Sequence, residues 1–317
     1  MNRHIVHRAE DAAYEVPEMY GTGSRGLGRW SLVDHTSPAV HTGFGICELA
    51  AGGEVDSHVH SFEESFHLIG GEVVLETPEA SALLVPGDYG VIPLGVPHRW
   101  RNAGDSTARW ADFMTPQPRP EFEYDTYLTS FANPADAGPI DAKPIDAKPI
   151  DTKPIGAKPI DVRDPRCRSF GHIEPDNMDP AKQTQNFLAV SASMRTALLV
   201  YSGISLKMMV DSDLGGQLGT MFMVQYEPSG LAGAHDHPFE EVYLVLEGEV
   251  DAVFDGVSYR LRPGDVGFAG VGSVHQFSNP ADVPVRWLET QAPQPPARHS
   301  YRFARDWKYL GDVLAKE

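Results

Sequence analysis

Cysteine is nearly missing. Cys47 and Cys167 are the only two, and they stand on opposite sides of a proline-rich stretch. Their spacing suits neither a zinc ribbon nor a redox pair, and nothing supports a bridge between them. Two lone thiols fit a reducing cytoplasm, and both are read as structural. Positive charge is also scarce: 26 Lys and Arg stand against 44 Asp and Glu, for a net charge of −18. A phosphate backbone or an anionic membrane would be repelled by such a surface, so the expected partner is a small molecule. No stretch approaches the roughly 18 apolar residues that a membrane span needs. The N-terminal MNRHIVHRAEDAAYEV has no apolar h-region, so a secretory signal is not expected and the protein is placed in the cytoplasm.

Helical periodicity is thin as well. Residues 1–29 form an arm whose YGTGSRGLGR (20–29) shows neither helical nor strand periodicity and is not read as a phosphate loop. From Trp30 onward the chain runs in short segments rich in β-branched and aromatic residues, punctuated by Gly, Pro and Asp, such as WSLVD, ESFHLIGGEVVLETPE and TARWADFMTP. Many short strands at regular spacing predict an all-β sandwich or barrel. One short helix is expected within 119–133. A five-residue repeat follows, with prolines at 139, 144, 149, 154 and 159. Proline at that period defeats helix and central strand alike, so the repeat is read as a soluble spacer. The strand pattern then returns, with a tight turn at Asp255-Gly256 and an amphipathic tail expected to end in a short helix. The division expected is 1–135, a linker at 136–163, and 164–317.

One constellation occurs twice. The first copy reads GGEVDSHVHSFEESFHLIGG and PGDYGVIPLGVPHRWRN, and supplies His58, His60, Glu64, Gly71, Gly87, Gly95, His98 and Asn102. The second reads GAHDHPFEEVYLVLEGE and RPGDVGFAGVGSVHQFSN, and supplies His235, His237, Glu241, Gly248, Gly264, Gly272, His275 and Asn279. Only four residues separate Gly230 from His235, against five in the first copy, and Gly270 stands where the first copy has Pro93. Neither departure touches a candidate ligand. The two copies resemble the paired sequence motifs of the cupin superfamily, and the whole chain resembles a bicupin. That resemblance implies two tandem jelly-roll β-barrels.

Strand side chains alternate faces. His58, His60 and Glu64 share one parity, as do His235, His237 and Glu241, so each set can point into its barrel. Glu63 and Glu240 have the opposite parity and should point outward. His98 and His275 would complete each site from a neighbouring strand, with Asn102 and Asn279 satisfying the turns behind them. A lone strand histidine is ordinarily a packing residue, but a full ligand set repeated at the same offsets is not ordinary. Three imidazoles and a carboxylate suit a divalent transition metal, Fe or Mn foremost, with Ni, Co, Cu or Zn also compatible, up to two ions per chain. Four protein ligands leave an octahedral ion two open positions, which is a catalytic arrangement. Phe66, Trp100 and Phe113 in the first half, and Tyr243, Phe268, Phe277 and Trp287 in the second, are barrel-lining candidates that core packing also explains. Met208, Met209, Met221 and Met223 read as core filler. Tyr201 and Lys207 are weaker candidates for a proton donor or an anion site.

The resemblance implies a metal-dependent oxidoreductase of the dioxygenase kind, with Glu64 or Glu241 doubling as ligand and base. The alternatives are a non-redox metalloenzyme, such as a sugar or keto-acid isomerase or an aminohydrolase, and a bicupin that binds a small ligand without turnover. Cupin barrel edges often pair, so a homodimer also stays open.

Overall fold

The computed structural model describes residues 3–130, 158–159, 161–162, 169–179, 198–199, 203–212, 215–294 and 302–303. The proline repeat lies almost wholly outside them, as do Cys167, Tyr201 and most of the expected C-terminal helix. Among the described residues no helix is long and apolar enough to cross a membrane.

The architecture is all β, in two jelly-roll barrels. The first barrel is one curled sheet whose long strand, Gly43–His60, pairs with Ser24–Val33, His98–Arg101, Ala108–Thr115 and Thr126–Leu128. The second barrel has two sheets. One centres on Glu240–Glu247 and Val285–Ala292, the other on His275–Ser278 and Leu231–Asp236. Asp255 and Gly256 take positive φ, 47° and 85°, in the hairpin turn between Val250–Phe254 and Val257–Leu261, as the dipeptide predicts.

Two expectations need correction. The glycine-rich arm is not irregular, because Ser24–Val33 is a ten-residue strand. Its glycines sit where backbones crowd: a side chain at Gly28 would meet Tyr14 at 3.1 Å. The described residues of 119–133, which end at 130, hold no regular helix. Pro120–Asp125 is a 3-10 turn broken by left-handed residues, and Thr126–Leu128 then joins the sheet.

The two barrels exchange edge strands. His4–His7 pairs with Val266–Ala269 of the second barrel, while Phe170–His172, ahead of the second barrel, pairs with Asp88–Ile92 of the first. Those two edges are equivalent, since each follows a Pro-Gly-Asp turn. An apolar core lies between the barrels, built from Val33, Phe44, Val91 and Phe113 on one side and Met209, Met221, Val242 and Phe268 on the other. Phe113 and Phe268 therefore fill the contact between barrels, whereas Phe66 and Trp100, and Tyr243, Phe277 and Trp287, pack within their own barrels. Met209, Met221 and Met223 are buried, as core filler should be.

The outward-facing Glu63 and Glu240 do not reach solvent. The Glu63 carboxylate accepts from the amides of Gln217 and Leu218 in the second barrel, both at 2.8 Å. Glu240 accepts from Val40, His41 and Thr42 in the first, at 2.6, 3.0 and 3.0 Å. Each barrel thus clamps a loop of the other with a buried carboxylate.

His67 shares the parity of Glu63 and is buried. Burial pushes its imidazole down to about 4 from the ordinary 6.5. The unfolded chain therefore takes up a proton before the folded one, and stability is lost as pH falls from about 6.5 towards 4. The full difference is about 3 kcal/mol. Urea unfolding of His67→Gln should show a flatter stability profile over that window than the parent, and parallel profiles would refute the assignment.

Candidate metal centre

His58 and His60 end the strand Gly43–His60, and a two-residue turn through Ser61 and Phe62 leads to Glu64 on the next strand. His98 opens the strand His98–Arg101 and lies opposite His58. A turn glycine sets that strand's start. Gly95 takes φ 72°, and its amide donates to the His60 carbonyl at 3.0 Å. Gly272 does the same in the second barrel, with φ 70° and a 3.1 Å bond to the His237 carbonyl. A side chain there would be strained. Asn102 donates to the carbonyls of Leu49 and Ser106, and Asn279 to those of Tyr226 and Val283, so both satisfy turns behind the histidines.

The ligand atoms of His58, His60, Glu64 and His98 all lie within 4.8 Å of one another, and all four residues are buried. In the second barrel the group within that distance is His235, His237 and His275. Glu241 stands beside two of them, with Oε2 2.6 Å from His237 Nε2 and 3.3 Å from His275 Nε2.

The imidazoles are oriented from behind. His58 Nδ1 donates to the Asp56 carbonyl at 2.6 Å, His98 to Val96 at 3.0 Å, His235 to Gly233 at 2.7 Å, His237 to Phe239 at 2.9 Å and His275 to Ser273 at 2.9 Å. His60 Nδ1 meets Thr126 Oγ1 at 2.9 Å, and that hydroxyl donates onward to the Tyr124 carbonyl. Every Nδ1 is thereby committed, which turns each Nε2 toward the other ligands of its cluster.

That arrangement decides what the centre can hold. His58 Nε2 is buried without a hydrogen-bond partner. His98 Nε2 faces Glu64 Oε2 at 3.0 Å, an acceptor against an acceptor unless a cation lies between them. Burial lowers the His58 imidazole well below its ordinary range, so that ring is neutral and offers its Nε2 lone pair. Burial would raise the Glu64 carboxyl, but His60 and His98 outweigh it and hold the group below the usual carboxylate range. Three imidazole nitrogens and an ionised carboxylate, clustered within 4.8 Å, fit a divalent metal ion.

The comparisons agree. The family model described as Cupin domain matches twice, over residues 45–114 and 222–290, and each match contains one complete constellation. The chain belongs to the cupin superfamily, as a bicupin. Protein SchB of Streptomyces halstedii is 30% identical over 109 residues, which is 33% of this bicupin and 79% of that protein. Among solved structures, the Lactobacillus farciminis oxalate decarboxylase formate complex aligns with a TM-score of 0.58 at 16% identity, covering 99% of this chain and 93% of that one. Salicylate 1,2-dioxygenase from Pseudaminobacter salicylatoxidans aligns at 0.59 and 14%, covering 90% and 78%. At such identities the likeness shows the fold.

The two centres of the bicupin differ in what lies behind the glutamate. In the second barrel Tyr243 Oη donates to Glu241, and Gln291 Nε2 donates to its other oxygen at 2.5 Å. Glu289, opposite Tyr243, is raised well above the carboxylate range by burial and then by the Glu241 charge. In the first barrel the equivalent positions are Phe66, Met114 and Asp112. Asp112 forms a buried ion pair with Arg29 at 2.8 Å. Tyr20, from the arm, lies against the first centre, its ring 4.9 Å from His58. No motif marks Tyr20, Gln291 or Glu289. Tyr243 carried one usable signal, since it shares parity with Glu241. Lys207 pairs with Met223 on a different strand from any ligand, and is not among the clustered residues.

Proposed function

We propose that this bicupin is a metal-dependent enzyme acting on a small organic molecule, and that its first centre carries dioxygenase-type or related oxidoreductase chemistry. His58, His60, Glu64 and His98 would hold the ion there, and His235, His237, Glu241 and His275 would hold the other. The observation that carries the reading is the facing pair His98 Nε2 and Glu64 Oε2 beside the bare His58 Nε2, deep in the first barrel. When bound, a divalent transition metal supplies Lewis acidity and open positions for substrate or O₂. The protein supplies the rest. The carbonyls and Thr126 fix the imidazoles, the aromatic walls exclude water, and Glu64 can take a proton from a substrate hydroxyl that reaches the centre.

A second reading, non-redox proton transfer, is favoured in the second barrel. There the Glu289 carboxyl, raised by burial, and the Tyr243 hydroxyl adjoin Glu241, and the first barrel has Phe66 where this hydroxyl stands.

Elemental analysis of the purified protein, followed by O₂-uptake assays with catechols, flavonols and keto acids, tests both. Two Fe or Mn ions per chain with substrate-dependent O₂ uptake is the expected outcome. Metal without O₂ uptake would leave only the proton-transfer reading. A protein that takes up no metal even on reconstitution would exclude both and leave a ligand-binding bicupin.

A further inference from the structure

A cavity of about 550 Å³ lies between the arm at Glu18–Gly21 and the segment Glu123–Leu128. Two of its wall residues lie against ligand histidines of the first centre. Tyr20 edges His58 at 4.9 Å, and the Thr126 hydroxyl holds His60 Nδ1 at 2.9 Å. Tyr20 and Thr126 are thus the side chains that separate the cavity from His58 and His60. Three of its walls are tyrosines, Tyr20, Tyr124 and Tyr127, and two are carboxylates, Glu18 and Glu123. The Tyr124 hydroxyl donates to Glu18 at 2.7 Å, which ties the arm to the segment after the barrel. No Lys, Arg or His is among the lining residues. Arg119, nearby in sequence, is bonded to Asp125 at 2.9 Å and lies over the Phe122 ring.

Aromatic faces with carboxylates and no cation attract an organic cation, accept a neutral molecule and repel a carboxylate. We propose that this cavity is the substrate vestibule of the first centre, and that it selects a hydroxylated molecule whose far end is an amine rather than an acid. The hydroxyl end reaches the metal centre past Tyr20, and the ammonium end stays among the tyrosines with Glu18 and Glu123. This deepens the metal-enzyme reading of the first barrel and rests on it.

Three catechols that share a chelating head and carry a positive, a neutral or a negative substituent make the test: dopamine, 4-methylcatechol and 3,4-dihydroxybenzoate. Their binding to the full-length, metal-loaded protein is measured by calorimetry, with metal content determined on the same samples. Dopamine should bind tightest and 3,4-dihydroxybenzoate weakest, with about fivefold between successive charges, the size expected of two exposed carboxylates. The double variant Glu18→Gln/Glu123→Gln changes no metal ligand, so it should keep its metal and lose most of that spread. A loaded protein that prefers the acid, binds none of the three, or keeps the spread in the double variant overturns the vestibule. A protein that takes up no metal overturns the metal-enzyme reading itself, and this proposal with it.

Discussion

His60→Ala is expected to strip the first barrel of its metal and leave the second loaded, halving the metal in the purified chain, and His237→Ala should do the converse. Each substitution removes one nitrogen from a centre whose other histidines stay fixed by their own carbonyl bonds. Losing even a residue that orients a ligand typically weakens binding about 10- to 100-fold, so losing a ligand should cost at least about 100-fold. Dialysis against a competing chelator and elemental analysis give the answer directly. Full metal content in either variant would show that the corresponding histidine cluster is a packing feature. The independence of the two losses is part of the expectation, because no residue belongs to both clusters.

Glu63→Ala and Glu240→Ala should each destabilise the protein by about 3–5 kcal/mol, although neither residue touches a metal ligand's imidazole. Glu240 satisfies three buried or partly buried amides of the first barrel. Hydrogen bonds to a charged acceptor contribute about 1.5–3 kcal/mol each, and an amide left buried without a partner costs about 1–3 kcal/mol. The substitution incurs that penalty at more than one amide, and the methyl group of alanine cannot reach to repair it. Urea unfolding of each variant beside the parent is the measurement. A loss below about 1 kcal/mol would mean that water replaces the carboxylate and that the clamps contribute little.

Much of the centre was legible because its residues are close in sequence. His58, His60 and Glu64 fall within one strand–turn–strand segment, so period-two alternation was enough to separate Glu64 from Glu63. Alternation gave the right direction for Glu63 and the wrong environment, because what lies outward is the other barrel rather than water. The partners that sequence reasoning missed are distant. Gln291 is fifty residues from Glu241, and Thr126 is sixty-six from His60. Only the paired strands bring them together. The arm failed for a related reason. Its glycines hide a strand whose alternation is paid for by crowded neighbours rather than by side chains, so no apolar rhythm betrays it. The broken turn at Glu123–Asp125, with three consecutive positive φ values, follows from no propensity at all.

The reciprocal strand exchange makes the molecule, in effect, a dimer whose subunits share one chain. Neither half completes its own sheet: the first needs Phe170–His172, and the second needs His4–His7. The two halves made as separate polypeptides should therefore be poor folders alone and should co-purify when made together. The same mutual dependence bears on how such a protein can change over time. Either barrel is free to lose its chemistry, but neither is free to lose its shape, because each one's edge is also the other's scaffold.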